Sequence, residues 1–481
     1  MHQVNIKKNK AAALRFVAYT ITLVLSVLTT ALLLYIALGY RFDSTSGHIV
    51  RSGLLLTDNA PEAGGVYINN QMKDNANPGR FVLTAGTYNL KFARDGYRDW
   101  SKDVSVAASG VREVGYPVLI PNKLTPKALA ELEVPQLISQ SPDKKMLLTH
   151  SAGLQDLSLI TLKPESVTRT KLTLPASIPR ESGSVGSFNV IEWSLNNKFV
   201  LLQQNLPSGA VQIISLNIAK PAESVNISSL YVSDGIKDVH YVGGDTENIY
   251  ALSGNVLKRY SLTSSKSETL LANIRSYQPY SDDTILFDRS TTTKITELGI
   301  WKDSVTTVVH TNTEEVSPSL LRLAEFDEHV YFAVAPLGGG TVTIYRDPLK
   351  KPILAKQLPF TTLKLPDVQR LEFGDSAQFL VAQNGKSFTA YDFDDTKTYA
   401  FTPDYNLDPA AKFSWADSHH LQVKRDDGMI MLMDYDGTNQ QALVTSNVGD
   451  KLYFAGNFEN TYRFNVESDV TKLQVVPLVA E

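Results

Sequence analysis

The sequence predicts a mainly β protein hung on one apolar helix: an N-terminal transmembrane helix, a small β sandwich, then a C-terminal β-propeller of eight blades, with seven as the alternative. Three observations predict it. Residues 16–40 are uncharged and apolar, and residues 53–120 alternate apolar and polar residues between turn signals. From about residue 134 a unit of roughly 35–45 residues recurs to the end, the period at which propeller blades are the first architecture to consider.

At about 1.5 Å per residue, a helix over Phe16 to Tyr40 spans roughly 37 Å, enough to cross a hydrocarbon core of about 30 Å with tilt. Lys7, Lys8, Lys10 and Arg15 precede it with no acid among them. The positive-inside rule therefore makes residues 1–15 a cytoplasmic tail and sends the C-terminus outward. A cleaved secretory signal has a shorter apolar core, about 7–15 residues, followed by a small-residue site. Here Leu32 to Leu38 is bulky and no A-x-A pattern follows, so an uncleaved signal anchor is expected. With no cysteine there is no thiol for lipid attachment, and disulfides, thiolate metal sites and cysteine nucleophiles are excluded together. An exported chain without disulfides fits a bacterial envelope better than an animal extracellular space.

The 481 residues leave about 440 beyond the helix, enough for two or more folded units, and 43% hydrophobic content is that of a chain with a core. Formal net charge is -4; without the tail's four cations the remainder is near -8. A mildly acidic exported part argues against nucleic acid and against bulk-charge docking on anionic polymers. A tail of about 15 residues is expected to carry no catalytic domain, so any signal would need a cytoplasmic partner.

In residues 41–120, Val66 and Ile68 alternate with Tyr67 and Asn69, and Tyr88, Leu90 and Phe92 with Asn89 and Lys91, the period of half-buried strands. Turns are expected at Asn69-Asn70, Asn77-Pro78-Gly79, Ala85-Gly86 and Asp95-Gly96. The run Gly65-Val66-Tyr67-Ile68-Asn69-Asn70, then Asn77-Pro78, Leu83-Thr84-Ala85-Gly86-Thr87-Tyr88 and Asp95-Gly96-Tyr97-Arg98-Asp99-Trp100 resembles a PEGA domain. Ala85 stands where that family more often has proline before glycine, and Asn70 where glycine is common. The resemblance implies an immunoglobulin-like sandwich and a wall-proximal or interaction module, and no reaction. Tyr97 and Trp100 are expected to cover the end of the core; a sugar-stacking platform is the alternative.

Residues 121–135 read as a linker or short helix, and 136–481 as the propeller. Eight units open at Leu137–Leu148, Val190–Leu201, Asp238–Leu252, Ile274–Phe287, Leu323–Ala333, Leu371–Ala382, Lys412–Val423 and Lys451–Ala455. The turns Ser141-Pro142-Asp143 and Trp193-Ser194, and Met429 to Asp434 followed by Tyr435-Asp436-Gly437-Thr438-Asn439, resemble those of Tol-type and WD-repeat-like propellers. One such blade buries too little alone, and radial stacking supplies the missing faces.

No catalytic, cofactor-binding or metal-ligating residue is assigned, and no cofactor is expected. Adjacent histidines on a strand, His419 and His420, point to opposite faces. Asp434-x-Asp436-Gly437-x-Asn439 has Thr445 where a calcium loop has its bidentate glutamate, so it reads as a hairpin turn, as does Asp392 with Asp394 and Asp395. Gly183-Ser184-Val185-Gly186 misses the spacing of a nucleophile elbow, and Gly338-Gly339-Gly340 precedes no helix. The expectation is a single-pass protein of the cytoplasmic membrane, N-terminus in and C-terminus out. It would bind the bilayer through residues 16–40 and scaffold an envelope protein or wall polymer, without nucleic acid and without enzymatic activity. The alternatives are a glycan- or peptide-processing hydrolase in the propeller channel and a sensor coupled to a cytoplasmic partner. Clustered carboxylates at the channel would favour hydrolysis; a mixed or apolar lining would favour binding.

Overall fold

The computed structural model describes residues 2–43, 47–62, 64–74, 78–181, 183–292, 294–314, 316–350, 358–410, 412–467 and 470–479, with the backbone alone for residues 2–13, 43 and 74. Asn77 of the expected turn and the side chains of Lys7, Lys8 and Lys10 lie outside these. The chain divides into two compact units, Met1–Lys123 and Leu124–Glu481.

The first unit opens with a helix, His2–Ala37, whose stretch Leu14–Ala37 is long and apolar enough to cross a membrane. Its threonines hide their hydroxyls: Thr20, Thr22, Thr29 and Thr30 each donate to the carbonyl four residues earlier, at 2.8–2.9 Å. In hydrocarbon that removes the cost of an unmade hydrogen bond. Residues 38–40, expected in the helix, are not in it. Gly39 has φ +79 and sits where a Cβ would come within 2.6 Å of the Ser52 carbonyl oxygen, and Tyr40 opens a strand. Only glycine meets both demands, so the helix stops there.

Two four-stranded sheets follow. One orders Tyr40–Asp43, His48–Thr57 and Gly79–Thr84, with Val111–Val114 paired in parallel to the middle strand. The other runs Gln71–Asp74, Gly65–Ile68, Gly86–Ala93, Trp100–Val106. Leu55, Val66, Ile68, Leu90, Phe92, Trp100 and Val114 from both sheets share one core. Asn69 and Asn70 both have positive φ, as a two-residue hairpin turn needs. Trp100 is buried against Phe92 and Tyr116, at 5.6 and 5.8 Å between ring centres, so it packs as core and offers no stacking platform.

In the second unit, the described residues form eight four-stranded antiparallel sheets, seven of them meanders in chain order over 135–172, 187–226, 236–271, 274–312, 319–364, 370–401 and 414–445. The eighth takes three strands from 448–477 and its fourth, Lys127–Leu132, from the other end of the unit. The segment 121–135, expected as a linker or short helix, therefore supplies a strand. Its Ala, Leu and Glu residues favour helix, and the open edge of Val470–Pro477 overrides that preference.

Each of the first six sheets buries its face on the next. Leu148 and Leu159 of the first sheet meet Val200 and Ile214 of the second, Leu201 and Ile213 meet Val239 and Ile249 of the third, and so on to Val381 with Leu421 and Met431. The circle closes where Leu147 and Ile160 of the first sheet pack on Tyr462, Phe464 and Leu473 of the eighth. At ~1.5–3 kcal/mol for each fully buried large apolar side chain, these inter-sheet faces hold the unit together.

Polar clamps join the same faces. From second strands, Asp288 accepts the Ser319 N–H (2.9 Å), Gln383 the Phe413 N–H (2.9 Å) and Gln422 the Leu452 N–H (2.9 Å), each on the following sheet. The turns between first and second strands repeat one chemistry. Ser141 Oγ accepts from the Met146 N–H and donates to Asp143, Ser194 Oγ accepts from the Phe199 N–H and donates to Asn196, and Ser281 Oγ donates to Asp283.

Candidate binding surface on the inner strands

First strands of successive sheets lie beside one another, as in 135–140 with 187–193 and 236–242 with 274–281. Here Trp193 Nε1 donates to Ser139 Oγ (2.9 Å), and Lys144 Nζ reaches the Ala416 carbonyl (2.8 Å), linking the first sheet to the seventh. The inner ends of nonconsecutive sheets thus meet at the turns.

One charged cluster on these strands is Glu192, Asp238 and His240. Glu192 Oε2 lies 2.8 Å from His240 Nδ1, its other oxygen accepts the Tyr241 N–H, and His240 Nε2 is 3.4 Å from Asp238 Oδ1. Tyr277 stands edge-on to the imidazole, 5.5 Å between centres, and its hydroxyl donates to the Asp238 carbonyl. Local irregularities aim these groups: the ladder slips between Val190 and Glu192 and again between Lys237 and His240. Such bulges turn a side chain out of its regular face. Asp238 itself has φ +51, a left-handed backbone held by its surroundings. Burial would lower the pKa of His240, but the hydrogen bonds and charges of Asp238 and Glu192 outweigh it and push the imidazole up to about 9. At neutral pH it is a cation held by two carboxylates and makes a poor general base.

Further round, Arg370 Nη2 pairs with Glu372 Oε1 at 2.9 Å. Arg322 donates to its neighbour's carbonyl, Leu321 O (2.8 Å), with Gln278 Oε1 at 3.5 Å. Burial lowers the pKa of this guanidinium, Glu372 works against the shift and Arg370 adds to it. The lining is therefore mixed in charge: Glu192, Asp238 and Glu372 are each held by a cation, while Glu325 and Asp450, on the first strands of the fifth and eighth sheets, are exposed.

The residues considered from sequence take other roles. His420 is buried, with Nδ1 2.8 Å from Asp417 Oδ2 and Nε2 3.6 Å from Asp434 Oδ1. Burial would raise the pKa of Asp417, but the charge of His420 and hydrogen bonds from it and from the backbone N–H groups of His419 and His420 depress it to about 2. Asp434 accepts from Asn439 Nδ2 (3.0 Å) and closes the turn through Gly437, φ +82. Asp392 is buried and accepts the N–H groups of Asp394 and Asp395, a turn of the same kind on the neighbouring sheet. Gly338-Gly339-Gly340 lies in the turn between His329–Pro336 and Thr341–Arg346. Among the described residues no group of three or more His, Asp or Glu is arranged to hold a metal ion. Sequence reading missed the Glu192–His240 pair because its members belong to different units. The signal available was their position near the end of the first strand in consecutive repeats.

No protein-family model matches the sequence, and no curated protein matches it. The PEGA resemblance of residues 65–100 thus has no family model behind it. Among solved structures, the chain is similar to the C-terminal WD40 domain of Sif2, with 11% identity, TM-score 0.47, and 74% of this chain and 99% of that one covered. It is similar to BamB from Moraxella catarrhalis (11%, 0.42, 74% and 99%) and to an oligogalacturonate lyase in complex with manganese (11%, 0.39, 73% and 99%). These likenesses are too slight to carry a reading of function; the propeller-like arrangement rests on strand order and packing.

Proposed function

We propose that this chain is a single-pass protein of the bacterial cytoplasmic membrane. Residues 14–37 span the bilayer with the N-terminus inside. The β sandwich, PEGA-like in its turns, and an eight-bladed propeller face outward as a non-enzymatic binding and scaffolding surface for an envelope protein or wall polymer. The apolar helix with basic residues on one flank supports the anchoring and its direction.

The observation that carries the binding reading is the pairing of Glu192, Asp238 and Glu372 on the inner strands. Hydrolysis by a carboxylate pair needs one acid free to hold a proton and another free to act as base or nucleophile. Glu192 and Asp238 share His240, and Glu372 is taken by Arg370, so these three acids are fixed charges suited to recognition. Of the described inner-strand acids only the exposed Glu325 and Asp450, three sheets apart, lie outside such pairs.

The test places a photo-crosslinking residue at Tyr280, on an inner strand, and at Leu337, on a turn of the fifth sheet; both are 48% exposed. In living cells the binding reading expects a discrete adduct from one position that is lost on adding Glu192→Lys or Arg370→Glu. No adduct from either position in membrane-inserted protein contradicts it. So does turnover of peptidoglycan fragments or peptides by the purified chain that disappears in Glu192→Gln.

A further inference from the structure

Immediately after the helix, Tyr40–Asp43 and His48–Thr57 form a hairpin in which Tyr40 pairs with Arg51 and Phe42 with Ile49. Side chains two apart on a strand and directly opposite across a pair share a face. Tyr40, Phe42, Ile49 and Arg51 therefore stand on one face. Phe42 and Ile49 are 69% and 62% exposed, an apolar pair that no core covers.

The face looks toward the helix. Tyr35, two residues before the helix ends, stacks on Tyr40 with ring centres 4.8 Å apart and planes at 19°, and the Arg51 guanidinium lies 5.1 Å from the centre of the same ring. The junction is fixed. The Ser52 N–H and Oγ both donate to the Gly39 carbonyl, at 2.7 and 2.9 Å, and Ser109 Oγ donates to that of Leu38. Phe42 follows Ala37 by five residues, so it lies within roughly 17 Å of the helix end along any path of the chain.

We propose that this hairpin is a lipid-docking element: Phe42 and Ile49 enter the outer edge of the bilayer beside the helix from which they continue. Tyr35 and Tyr40 sit at headgroup level, and Arg51 meets lipid phosphates. The occupant is the membrane itself because the apolar face is continuous, through the Tyr35–Tyr40 stack, with a helix surface whose apolar side chains are exposed from Leu14 to Leu38. Aromatic rings backed by basic side chains are the composition that the water–lipid boundary favours. The consequence is a sandwich fixed against the bilayer and unable to swing freely on its tether. The inference rests on the spanning role of the helix.

The chain has no cysteine, so single substitutions give unique labelling sites. Full-length Phe42→Cys, Ile49→Cys, Leu25→Cys and Leu195→Cys are each labelled with an environment-sensitive fluorophore. They are reconstituted in phosphatidylethanolamine–phosphatidylglycerol vesicles. Quenching is read with aqueous iodide, with nitroxide lipids labelled near the headgroup, and with nitroxide lipids labelled deep in the chain. Labels at 42 and 49 should respond to the shallow nitroxide and be several-fold less sensitive to iodide than the label at 195. The label at 25 should respond to the deep nitroxide. Iodide-sensitive labels at 42 and 49 with a deep label at 25 overturn the docking and leave the span intact. Labels at 42 and 49 shielded from both quenchers mean a protein cover, a second copy included, and overturn it equally. An iodide-sensitive label at 25 overturns the span and the docking together.

Discussion

Leu473, in the last strand of the chain, pairs with Ala130, in the first strand of the second unit, so the eighth sheet is built from both ends of that unit. The pairing converts a row of sheets into a closed circle, because it completes the sheet against which the first sheet packs. It also covers a sheet edge that would otherwise be open to other chains.

The closure predicts a specific crosslink. Glu131 and Lys472 are partners in the same ladder. Directly opposed antiparallel residues lie about 4.5–5.5 Å apart at Cα, within the range of a disulfide. Glu131→Cys with Lys472→Cys should oxidise to an intramolecular bond, seen as faster migration on a non-reducing gel, and should raise stability by ~2–4 kcal/mol.

The Glu192–His240 pair predicts a stability loss on the alkaline side. The folded imidazole titrates at about 9 and an unfolded one near 6.5. A raised folded pKa stabilises fully below about pH 6.5, and that contribution is lost as pH rises through 9. Urea unfolding from pH 6 to 10 should show wild type exceeding His240→Gln by up to ~3 kcal/mol at the acid end, with the gap closing above pH 9.

Asp417 predicts the opposite window. Its folded pKa is depressed to about 2 against an unfolded value near 3.9, so its contribution is present above about pH 4 and lost as pH falls to 2. Asp417→Asn should cost ~1.5–3 kcal/mol at pH 6 and flatten the acid limb, measured by the same titration.

Gly437 predicts a contrast between two glycines. Both Gly437 (φ +82) and Gly254 (φ +63) are left-handed, but a Cβ on Gly437 would meet the Phe401 ring at 2.4 Å, whereas one on Gly254 meets nothing within 4 Å. Gly437→Ala should lower thermal stability by ~1–3 kcal/mol more than Gly254→Ala, read by calorimetry.

The sequence showed these features unevenly, and the reasons are physical. The apolar helix is local and compositional, so it is visible up to its end; Tyr40 falls outside it because Gly39 turns the chain at φ +79 and its carbonyl accepts from Ser52, which lies thirteen residues on. Second strands such as Met146–Ser151 and Phe379–Asn384 are buried on both faces and read as apolar runs, and the Ser141 and Ser194 turns repeat because one side chain satisfies the same backbone groups. Lys127–Leu132 was hidden because what makes it a strand is a partner at the far end of the chain. The Glu192–His240 contact was hidden for the same reason, and the bulges that aim it leave no local pattern.

The central claim is that the propeller works outside the membrane that its helix spans. Leu195 is 71% exposed on a turn of the second sheet, and the chain has no cysteine of its own. In intact cells expressing full-length Leu195→Cys, a maleimide that cannot cross the cytoplasmic membrane should label the protein to the same extent before and after that membrane is permeabilised. Labelling that appears only after permeabilisation would place the propeller in the cytoplasm and contradict the account.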